Sequence, residues 1–106
     1  MRNGLYGVQF NTPIGSGAGV VTLADGKLSG GDSALYYLGT YYSEGNRLSA
    51  EMRTGRHSLV MPSVFGIDNL LISLSGTIEG DKVQFTAIAQ EAPSLSVWGS
   101  ISRLAD

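Results

Sequence analysis

The sequence contains no cysteine, three prolines and a single histidine. Without cysteine there is no disulfide framework, no thiolate metal site and no thiol nucleophile. One imidazole in such a chain is too few strong ligands for a metal centre, so no metal and no cofactor is expected. Charge is also scarce: 15% of residues are Asp, Glu, Lys or Arg, against ~25% in ordinary soluble domains. Seven basic and nine acidic residues leave a net charge of −2 with no block of like sign. That is not the electrostatic footprint of a protein that binds nucleic acid directly. No apolar run approaches the ~20 residues of a membrane helix, so membrane insertion is not expected. The opening Met1-Arg2-Asn3-Gly4-Leu5-Tyr6 has no apolar core of a signal peptide, and cytoplasmic localisation is expected.

Glycine and alternation are what the sequence does have. Hydrophobic residues make up 42%, and the 15 glycines are about twice the usual share. A chain of 106 residues is read as a single domain, 1–106. Period-two patterning dominates and helical periodicity is nearly absent. Strands are predicted over 4–10, 17–24, 27–30, 34–43, 47–54, 69–79, 82–90 and 95–103. The turns between them carry Asp25-Gly26, Gly30-Gly31-Asp32, Glu44-Gly45-Asn46 and Glu79-Gly80-Asp81. Ser63–Ile67, after Pro62, is expected to make one helical turn. About eight short strands in a meander predict an all-β fold, a closed or nearly closed antiparallel barrel or a sandwich. The barrel accounts better for Gly7, Gly39, Gly76 and Gly99 inside strands, where a sheet must bend sharply or pack close.

The motifs that resemble catalytic or binding signatures have structural explanations. Gly15-Ser16-Gly17-Ala18-Gly19 is followed by a strand, whereas a phosphate loop opens a helix. It is read as a bent strand or turn. Asp25, Asp32, Glu44, Asp68, Glu79 and Asp81 sit in turns. His57 lies in Arg53-Thr54-Gly55-Arg56-His57-Ser58, the most basic stretch, which could meet an acidic partner. No serine stands in a nucleophile-elbow context, and no enzymatic activity is expected.

Tyr36, Tyr37, Tyr41 and Tyr42 divide between the two faces of one strand. Tyr36, Tyr42 and Trp98 are therefore candidate interface aromatics, and homodimerisation through a sheet face is expected. Tyr6, Val8, Phe10, Leu48, Met52, Leu74, Phe85 and Val97 share the opposite, inward parity. An eight-stranded barrel either fills its interior with such side chains or holds one small ligand. Both a packed core and a site for a small apolar, lipid-like ligand are compatible with these residues.

Several segments resemble the GrlR family, negative regulators of type III secretion gene expression. They are Asn3-Gly4-Leu5-Tyr6, the hairpin through Asp25-Gly26, and Leu28-Ser29-Gly30-Gly31-Asp32-Ser33 leading into Tyr37-Leu38-Gly39. Met61-Pro62-Ser63-Val64, Ile67 and the strand from Leu70 complete the set. The resemblance implies a small up-and-down, lipocalin-like β-barrel that forms a homodimer. It also implies a non-enzymatic role: binding a transcriptional activator and blocking it, without contacting DNA. The family's partner-binding feature is an exposed acidic loop. Its counterpart here is Ser43-Glu44-Gly45-Asn46-Arg47, in which only Ser43 and Glu44 match and Arg47 reverses a charge.

Overall fold

The structure is a computed structural model that describes residues 1–58 and 69–106. Eight strands follow in order: β1 (Gly4–Thr12), β2 (Gly15–Ala24), β3 (Lys27–Gly31), β4 (Leu35–Glu44), β5 (Arg47–Arg56), β6 (Leu71–Glu79), β7 (Lys82–Ala89) and β8 (Ala92–Ala105). Each pairs antiparallel with its chain neighbours, and β8 returns to β1, closing an up-and-down barrel. The alternation predicted this, because each strand buries one set of side chains and leaves the other outside. β7 is the plainest case: Val83, Phe85, Ala87 and Ala89 are buried, while Gln84, Thr86 and Ile88 are exposed. The expected helical turn at Ser63–Ile67, the Met61-Pro62-Ser63-Val64 segment and Asp68 lie outside the described residues.

The hairpins are tighter than the sequence suggested. The β1–β2 ladder continues to Thr12↔Gly15 around Pro13-Ile14, past the predicted ends at 10 and 17. Thr12 explains this: its hydroxyl donates to the Gly15 carbonyl at 2.9 Å and accepts from the Ile14 amide at 3.2 Å. β8 begins at Ala92 rather than 95, although Pro93 follows at once. β1 pairs with β8 only as far as Trp98, so Pro93 costs no ladder bond on that side. At the β2–β3 turn Asp25 (φ 52°) and Gly26 (φ 85°) are both left-handed, the pair of conformations a type I′ hairpin needs.

The glycines solve a packing problem inside the wall. Across adjacent strands the inward positions run Gly17, Phe10, Gly99, Phe85, Gly76, Leu48, so glycine and large side chain alternate. The same holds where Gly39 lies between Leu28 and Met52. A narrow barrel cannot seat bulky side chains on every inward position of neighbouring strands, and alternation of small and large fits them. At Gly99 a Cβ would stand 1.9 Å from the Gln9 carbonyl oxygen, so the strands approach too closely for any side chain. Gly7, expected to be a bend, is different. Its Cβ would point outward, and the nearest atoms it would meet belong to the Leu104 side chain, at 3.4 Å and beyond, an ordinary van der Waals distance. Tyr6, Leu23, Leu48 and Val83 are the largest of the fully buried side chains among the described residues. Burying an aliphatic or aromatic side chain of this size contributes ~1.5–3 kcal/mol, which makes this interior the main source of stability.

Candidate binding surfaces

The eight predicted inward residues all face the interior. Tyr6, Phe10, Leu48, Leu74, Phe85 and Val97 are buried, while Val8 and Met52 are half-buried. Val8, Phe10, Met52, Leu74, Phe85 and Val97 also line an apolar cavity of about 60 Å³. Tyr6 and Leu48 lie outside that lining and belong to the packed core. Pockets that enclose drug-sized ligands have ~300–1,000 Å³. The space left here suits nothing larger than a few heavy atoms.

Among the described residues Tyr37 brings the one hydroxyl to the cavity wall, and its partner was not visible in the sequence. Its phenol donates to the Asp32 carboxylate. Asp32 Oδ1 accepts from the amides of Ala34 at 2.8 Å and Leu35 at 2.7 Å, capping the β3–β4 turn as its sequence context predicted. His57 is exposed, and its Nε2 lies 2.8 Å from the Asp32 carbonyl. Burial, then the bond to Asp32 and its charge, raise the Tyr37 phenol well above the usual tyrosine range. The arrangement keeps Tyr37 protonated and ties three segments together at one end of the barrel. It does not present a base or nucleophile to the cavity.

The opposite end is tied by Arg103. Its guanidinium donates to the Asn3 carbonyl at 2.9 Å and the Tyr6 hydroxyl at 3.1 Å, and lies 5.6 Å from the Tyr6 ring centroid. It also pairs with Asp106. The bond to Asp106, then that to Tyr6, raises the Arg103 pKa, and the same Arg103 contact lowers that of Asp106.

On the outside, Tyr36, Tyr42 and Trp98 are all exposed but do not form one patch. Tyr42 and Trp98 share a row in which Ser49, Ser75 and Thr86 intervene. Tyr36 lies six residues along β4 from Tyr42 and folds its ring over Gly55, occupying the place a Cβ would take. Its apolar neighbour is Leu38, on the same face two residues on and 54% exposed, against 44% for Tyr36 itself. Val20 lies in the Tyr36 row with only Gly31 between them. Arg53 stands directly opposite Leu38, is exposed, and has no carboxylate partner among the described residues. Leu38 and Val20 were not singled out in the sequence. Their signal was strand parity, which places Leu38 on the face of Tyr36 rather than that of Tyr37.

The Ser43–Arg47 segment is a two-residue turn, Gly45-Asn46, not an extended loop. Glu44 faces Arg47 across the hairpin, and Gly45 (φ 59°) supplies the left-handed residue. The N-terminal ammonium donates to Ser43 Oγ at 3.3 Å, and the Asn46 carbonyl accepts from the Ile78 amide at 2.7 Å. The exposed part is therefore Glu44, Gly45, Asn46 and Arg47. Compared with known protein families and with curated proteins, the chain matches no family model and no curated sequence.

Proposed function

We propose that this barrel is a non-enzymatic, protein-binding regulator that works in the cytoplasm. This is the role implied by its resemblance to GrlR-type negative regulators. The observation that carries the reading is the Tyr36–Leu38 pair exposed beside Arg53 on the outer wall. Exposed aromatic and aliphatic side chains next to a guanidinium that has no carboxylate partner among the described residues suit a partner that offers apolar side chains and a carboxylate. A transcriptional activator is the partner class the resemblance suggests, and the Ser43–Arg47 turn is a secondary contact. Glu44 there is exposed and faces Arg47, so it adds little attraction for a basic partner. Association as a homodimer belongs to the same reading, as does the absence of direct contact with DNA.

The second reading is a carrier for a small apolar ligand. The apolar cavity favours it in kind, and the volume of about 60 Å³ weighs against it in size. The test of the leading reading is affinity capture with the folded chain, beside a Leu38→Ser/Arg53→Glu variant whose barrel is verified by circular dichroism. One specific protein retained by the native chain and lost by the variant is expected. Equal retention by both, or no specific protein with either, overturns it.

A further inference from the structure

The end of the barrel tied by Arg103 carries an open groove of about 570 Å³, which shares no lining residue with the apolar cavity. Arg2 and Arg103 line it, and Asp106 is the one carboxylate beside them among the described residues. Arg103 has the strand parity of Val97 and Ile101, which are buried, so it faces inward at the mouth. The register slips there: Tyr6 pairs with Arg103 and Leu5 with Ala105, which leaves Leu104 as an extra residue. A bulge of this kind re-aims a side chain at the end of a ladder.

Both hydrogens of Nη1 are committed, one to the Asn3 carbonyl and one to the Tyr6 hydroxyl. A Cβ on Gly4 would stand 2.8 Å from Nη1, so glycine at this position lets the guanidinium lie against β1. Nη2 is left for the groove, where it holds the Asp106 carboxylate. The two partners are unequal. The Arg103 side chain is 11% exposed and anchored, whereas that of Asp106 is 95% exposed. A carboxylate so exposed gains little from its pairing and gives way readily to another. Arg2 lines the same groove, and its own partner Asp81 stands outside the lining, with both side chains more than half exposed. The remaining wall is uncharged: Leu5 lies opposite Thr22 across the β1–β2 ladder, with Ala24 exposed beyond it.

We propose that this groove binds a small amphipathic carboxylate. The carboxylate takes the place of Asp106 on Arg103 Nη2, Arg2 adds a second positive charge, and a short apolar part lies on Leu5 and Ala24. The structure already seats a carboxylate on this guanidinium, whose planar fork matches that group. Leu5 and Ala24 give an apolar tail a surface and give a bare inorganic anion nothing. The site uses neither Leu38 nor Arg53 nor the interior cavity, so it stands apart from both readings of function above.

Titration with sodium hexanoate at fixed ionic strength, followed by the backbone amide resonances of Gly4, Leu5 and Ala24, tests it. Saturable shifts are expected. Asp106→Ala removes the competing carboxylate and is expected to tighten hexanoate binding at least ~twofold. Arg103→Gln is expected to weaken it at least ~tenfold. Arg2→Gln, at an exposed position, is expected to weaken it ~threefold and keeps the test valid where Arg103→Gln disturbs the fold. Hexanol and inorganic phosphate, which carry only the tail or only the charge, are expected to bind at least ~tenfold more weakly than hexanoate. Absence of saturable shifts with hexanoate overturns the proposal. So does an Asp106→Ala chain that binds no more tightly than the native one, an Arg2→Gln chain that binds as well as the native one, or hexanol or phosphate that binds as tightly as hexanoate.

Discussion

Asp32 shows how a single side chain can do the work of a whole turn. One carboxylate oxygen holds two backbone amides, and the other takes the Tyr37 phenol. Tyr37→Phe removes the donor and leaves a carboxylate oxygen without that bond. The expected loss is about 1–3 kcal/mol, measured by urea denaturation. The pH dependence follows from the raised Tyr37 pKa. In the unfolded chain the phenol ionises near pH 10, while in the barrel it keeps its proton to higher pH. Above about pH 10 the folded state therefore binds more protons than the unfolded state, and stability falls as pH rises. Up to ~1.4 kcal/mol per pH unit of that fall comes from this group. Denaturation curves between neutral and alkaline pH should show a steeper decline for the native chain than for Tyr37→Phe. Equal slopes would mean that Tyr37 titrates like an exposed phenol.

At the scale of the strand, glycine has two meanings that composition does not separate. Gly99 lies where two strands nearly touch, so Gly99→Ala drives a methyl into the Gln9 carbonyl. Overpacking of this kind costs ~1–3 kcal/mol. Gly7→Ala meets Leu104 first, at an ordinary contact distance, and narrows the freedom of the unfolded chain. It is expected to leave the thermal midpoint unchanged or slightly raised. Comparing the two midpoints by calorimetry separates the roles, and a similar loss for both would contradict the assigned packing. Strand existence and facing were legible because the period of two is a local property of the chain. Strand ends were less so. The first hairpin tightened through the Thr12 hydroxyl, and β8 started early because Pro93 sits where β1 no longer reaches. Both depend on partners that a reading of one segment at a time does not contain.

For the whole molecule, closure leaves an apolar interior with about 60 Å³ of free space and an outer wall on which large apolar groups are spread. Native mass spectrometry of the purified chain should show the mass of the polypeptide without a retained lipid. A tightly held lipid would return the carrier reading to first place. The candidate aromatics show the limit of legibility at this scale. Parity assigned Tyr36, Tyr42 and Trp98 to the outside, but not their separation by rows of Ser and Thr. Nor did it join Tyr36 and Leu38 to Arg53, which lies on the next strand.

Alternation, turn residues and the placement of glycine were enough to determine eight antiparallel strands and the side each residue faces. Each acts within a few neighbouring residues, and so survives in the bare sequence. Tertiary structure decided which residues meet: Asp32 with Tyr37, Arg103 with Tyr6, and Leu38 with Arg53. It also decided that β3 stops at Gly31 and pairs with β2 only from Val20 to Ala24. These contacts depend on strand register and on closure between β1 and β8, and register is set by all eight strands together.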